Sequence, residues 1–64
     1  MAIELNDELL ELERAAWAEI QAGTLSVGTA EAVLAAVAAH AEATGQDRLA
    51  VEMELKRRVR HPEG

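Results

Sequence analysis

Leu5, Leu9, Leu12, Ala16 and Ile20 recur at helical spacing, with Leu10 and Trp17 at the edge of the stripe. That period predicts a first helix over about residues 7–22. Asn6 is its N-cap, and Asp7 and Glu8 stand in the first turn, where the helix dipole favours acids. Leu5 and Leu10 bracket the cap as a hydrophobic staple, and Gly23 suits the left-handed residue that ends the helix. Glu13 interrupts the stripe between Trp17 and Ile20. It reads as a side chain reaching outward past Trp17, because an unpaired buried carboxylate is rarely tolerated. A partner-recognition role, or pairing with a base across an interface, is the alternative that makes it a candidate interface residue.

The second periodic block predicts a helix over about 27–44, ended by Gly45 and capped by Ser26 or Thr29. Val33, Leu34, Val37 and Ala41 form its large-residue face, with His40 and Thr44 at the border. Ala32, Ala35, Ala39 and Ala43 fall on the opposite side, and eight of the fourteen residues from 30 to 43 are Ala. Ala has the best helix propensity and lets neighbouring backbones approach closely. A helix apolar nearly all round is expected to be buried on more than one side. His40 reads as a border histidine bonded to Glu13 or Thr44 rather than as a metal ligand.

Gly45-Gln46 is a very short turn and Asp47 a third cap, so the next helix is expected over about 48–60 as the second arm of an αα-hairpin. Pro62 stops it, leaving a tail over 61–64. Its apolar residues fall on two edges. Val51, Leu55 and Val59 repeat every four residues, which suits packing inside the protomer; Leu49 and Met53 make the edge assigned to an interface. Glu52–Lys56 and Glu54–Arg58 are expected as i,i+4 pairs. The alternation from Val51 to Leu55 also fits a strand, but Glu, Met, Leu, Lys and Arg are strong helix formers. Residues 33–58, with their Ala…Thr-Gly…Ala run, resemble one tetratricopeptide-type helix pair. No repeat of it follows, so no stacked array is implied.

The 64 residues bound the chain to a single small helical domain. Half are hydrophobic, but 14 of those 32 are Ala and the sole aromatic is Trp17. A chain this short buries only about 60% of its unfolded surface and needs disulfides, a metal or oligomerisation. It has no Cys, so oligomerisation is the remedy left. Catalysis fails on inventory: Ser26 is the only Ser, no base stands at a spacing to activate it, and the carboxylates read as solvated surface. No enzyme activity, cofactor, metal or small-molecule substrate is expected. The start carries no signal-peptide pattern and the Ala-rich run is too short to span a bilayer, so a cytoplasmic protein off the membrane is expected. Arg outnumbers Lys five to one beside abundant Ala, a composition of bacterial character.

The net charge of −6 is unevenly spread. Residues 1–47 carry nine acids and one base, Arg14, whereas 48–64 carry five bases and three acids. The cluster Lys56, Arg57, Arg58 and Arg60 is the candidate nucleic-acid contact. Helix-turn-helix phasing fits at Ala41, Gly45 and Val51 and fails at Glu54, where an apolar residue belongs. Glu52 and Glu54 would also repel a DNA backbone, and bases in a last turn complement the helix dipole without any ligand. The expectation is therefore an all-α, three-helix chain forming a helical-bundle homodimer. It would be a protein–protein interaction module of regulatory or accessory kind, bound to itself and to another protein. Leu49, Met53, Glu13 and Trp17 are its candidate interface. The alternative is a small DNA-binding regulator of bacterial or mobile-element type using the basic third helix.

Overall fold

In the computed structural model, which describes residues 3–61, three helices follow one another: α1 over Asp7–Ala22, α2 over Val27–Thr44 and α3 over Arg48–Arg60. Each packs on the other two. Asn6 Oδ1 accepts from the Leu9 amide, Ser26 Oγ from Thr29 and an Asp47 carboxylate oxygen from Ala50. Ser26, not Thr29, is thus the cap of α2. Each such cap is worth about 1 kcal/mol, a large contribution for helices of this length. Gly23 and Gly45 close α1 and α2 with φ of 76° and 69°, the left-handed conformation in which a Cβ is strained. The Thr24 amide reaches back to the Glu19 carbonyl and the Gln46 amide to the Ala41 carbonyl, satisfying carbonyls the helix ends leave over.

The core is small. Leu9, Val37, Ala41, Val51 and Leu55 form its cluster, with Ile3, Leu5, Leu10, Val33 and Ala36 packed around it. α3 turns Val51 and Leu55 inward and keeps Val59 half-buried. α1 and α3 both lie against the Val33–Val37–Ala41 side of α2. The opposite side, Ala32, Ala35, Ala39 and Ala43, is exposed in this chain, against the expectation of burial on more than one side. Two neighbours leave that side of α2 uncovered. Leu34, assigned to the packed face, is 56% exposed because α3 does not reach round to it. Pro62 and most of the tail lie outside the described residues; the His61 amide makes the last bond of α3, to the Arg57 carbonyl.

The elbow between α1 and α2 is held by Glu19. One of its carboxylate oxygens accepts the Ser26 amide at 2.9 Å and the other the Thr29 hydroxyl at 2.9 Å. The Ser26 amide, and after it the Thr29 hydroxyl, holds the carboxyl below its ordinary range. A negative charge there also suits the N-terminus of α2.

Candidate functional site

The two edges of α3 have different surroundings. Val51 and Leu55 are buried to 1% exposure or less, whereas Leu49 and Met53 are 62% and 64% exposed. Large apolar side chains are also open to solvent at Leu25, Val27 and Leu34, and Ile20 is at the margin. Leu49, Met53, Lys56 and Arg60 follow one another at i, i+4, i+7 and i+11 and so share one strip of α3. Next to that strip runs an open groove of about 190 Å³. Ile20, Leu25, Val33 and Leu34 give it an apolar wall, and Glu52 and Lys56 give it a charged one. The groove gathers much of the exposed apolar surface into one region, which the linear sequence does not show.

At the base of the groove lies an ion pair. Glu13 is 1% exposed, and its Oε2 accepts from Arg60 Nε at 2.8 Å. The guanidinium carbon of Arg60 stands 4.9 Å from the centre of the Trp17 ring. The guanidinium therefore meets a carboxylate and an aromatic ring, both contacts favourable to a cation. The outward reading of Glu13 is corrected here: the carboxylate stays inside because a base from the last turn of α3 comes to it. The pairing with a base foreseen across an interface occurs within the chain. Trp17 is half-buried beside that pair.

The basic cluster is largely occupied. Arg57 donates to both carboxylate oxygens of Glu54, at 3.0 and 2.6 Å, and Arg58 donates to one at 2.8 Å. Two guanidinium groups, Arg57 before Arg58, lower the Glu54 carboxyl from 4.5 to about 2. Arg60 is committed to Glu13, which leaves Lys56 as the one member of the four outside the ion pairs of the described residues. The expected Glu52–Lys56 pair is also not among them, whereas Glu54 takes Arg57 in addition to Arg58. Both guanidinium groups converge on Glu54, and among the described residues no carboxylate pairs with Lys56.

A second polar cluster, not foreseen, fastens the segment before α1. Gln46 accepts the Glu4 amide at 2.9 Å and donates to the Glu4 carbonyl at 3.1 Å, imitating one rung of a β-ladder. His40 Nε2 lies 2.7 Å from the same carbonyl, and His40 Nδ1 lies 3.3 Å from the Asn6 amide nitrogen. Asn6 spends its oxygen on the Leu9 amide, so its nitrogen must donate to Nδ1. His40 therefore carries its proton on Nε2. Its ring lies among Asn6, Glu4 and Gln46, whereas Glu13 lies elsewhere and Thr44 meets His40 at the backbone carbonyl rather than at the ring, its hydroxyl also accepting from Gln46 Nε2. The signal available in sequence was the pair of polar residues, His40 and Gln46, flanking a glycine stop. Among the described residues no group of three or more His, Asp or Glu is placed to hold a metal ion, and no helix is long and apolar enough to cross a membrane. Compared with protein-family models, curated proteins and solved structures, the chain matches none.

Proposed function

We propose that this chain is a helical protein–protein interaction module that works as a homodimer, in a regulatory or accessory role. The observation that carries the reading is the contrast on α3. One edge is consumed by the core while Leu49 and Met53 stand more than 60% exposed beside an apolar groove. A six-residue hydrophobic core is little for three helices, and a second protomer would add apolar burial at the cost of one association step. Met is also an adaptable contact residue, common at binding surfaces. Another protein could use the same surface, and the proposed setting is the cytoplasm. Nucleic-acid binding by α3 has less support, because Arg57, Arg58 and Arg60 already face carboxylates.

The test is the order of effects of two substitutions. Leu55→Asp puts an unpartnered charge into the core and should unfold the chain. Met53→Asp should leave a helical protein and weaken its association. The comparison is made by circular dichroism and sedimentation equilibrium over a range of concentrations. Unchanged association in Met53→Asp would remove this edge from the interface.

A further inference from the structure

Glu52 and Lys56 sit one turn apart on α3, on the charged wall of the groove. Neither takes part in an ion pair of the described residues. The other charges over residues 54–60 of α3 are engaged, Glu54 with Arg57 and Arg58 and Arg60 with Glu13; Arg48, a turn before Glu52, is exposed at the start of the helix. Leu49 and Met53 flank the two open charges on the exposed side. Among the described residues, the wall of the groove thus carries an acid and a base outside any ion pair, separated by a helical turn and bordered by apolar contacts.

Such a pattern selects its own complement. A two-fold axis brings the same patch of both copies together. With the two α3 helices parallel, Glu52 would face Glu52 and Lys56 would face Lys56. With the helices antiparallel and the axis crossing at the level of Glu54, Glu52 of each copy faces Lys56 of the other. Met53 of each copy then lies close to the axis, where apolar contact is driest. Charge pairs of this kind contribute little as isolated surface bridges, but they fix orientation and register, because like charges in contact are strongly disfavoured.

Resting on the reading of the chain as a homodimer, we propose that the occupant of this surface is a second copy of the chain. The two α3 helices pair antiparallel, with reciprocal Glu52–Lys56 contacts across the two-fold axis. Self-recognition is thereby written in two side chains whose signs can be exchanged without touching the core.

The experiment measures the dimer dissociation constant by sedimentation equilibrium for the unaltered protein, Glu52→Lys, Lys56→Glu and the double exchange. Circular dichroism shows that each variant keeps its helix content. Each single exchange should weaken homodimerisation about tenfold or more, because two like-charge contacts replace two attractive ones. The double exchange should return to within about threefold of the unaltered protein. Mixing the two single variants should restore association, since a copy with two lysines meets a copy with two glutamates. Single exchanges without effect, or a double exchange that fails to recover, would overturn the antiparallel pairing and leave self-association standing. An unaltered protein that stays monomeric at every concentration would overturn both.

Discussion

Glu13 and Arg60 are 47 positions apart in sequence and 2.8 Å apart in the fold, and the two are not equally exposed. The Glu13 side chain is 2% exposed and that of Arg60 23%. Removing the base strands a carboxylate in the interior, whereas removing the acid leaves a guanidinium that can lean into water. Arg60→Met should therefore cost about 3 kcal/mol in urea denaturation, and Glu13→Met distinctly less. The double replacement should be milder than Arg60→Met alone; equal costs for the two single variants would refute the asymmetry. Glu54 makes a second prediction at this scale. Its folded pKa, about 2, is depressed from 4.5. Its stabilising effect is thus complete above the unfolded value and is lost as pH falls through about 2. Carboxyl chemical shifts should place its midpoint there, and Arg57→Gln should move that midpoint upward. His40 makes a third: nitrogen-15 shifts should show the proton on Nε2, as the Asn6 contact to Nδ1 demands. Reading Glu13 from sequence went astray because the helical period shows which residues share a face. It does not show which base a later helix will deliver.

At the scale of the elements, much was legible. Asn6 and Asp47 are short polar side chains before apolar periods, and Gly23 and Gly45 end α1 and α2, so these helix ends could be read locally, while the choice of Ser26 over Thr29 at the start of α2 could not. The two edges of α3 could be read as well, since Val51 and Leu55 are buried while Leu49 and Met53 are exposed. The packing of α2 could not. An Ala-rich helix has almost the same hydrophobicity all round, so its period does not say which side the neighbours choose. The clamp on the first segment was only half legible: His40 and Gln46 flank Gly45 as polar residues, but what they hold is the Glu4 backbone, which leaves no mark in sequence. That clamp is testable. Gln46→Ala should cost about 1 kcal/mol and speed exchange of the Glu4 amide, with the middle of α1 unaffected. An unchanged exchange rate at Glu4 would mean that Gln46 does not hold it.

The whole molecule combines a small core with a surface region where Leu25, Leu34, Leu49 and Met53 are exposed. The groove and its two open charges arise only when three helices meet, so neither could be found from any one segment. On the same scale, the acidic body and the engaged arginines argue against a DNA complex. No shift of duplex DNA is expected at physiological salt, and a nanomolar complex lost on replacing Lys56, Arg57, Arg58 and Arg60 by Gln would reverse that reading. The central claim is that the chain completes its apolar burial with a second copy. A dimer that dissociates on unfolding gains stability with concentration by mass action. The most direct measurement is therefore sedimentation equilibrium from sub-micromolar to high micromolar protein, with thermal melts on the same samples. The account predicts a monomer–dimer equilibrium in that range and a Tm that rises with concentration. A single well-folded monomer throughout, with a Tm that does not move, would contradict it.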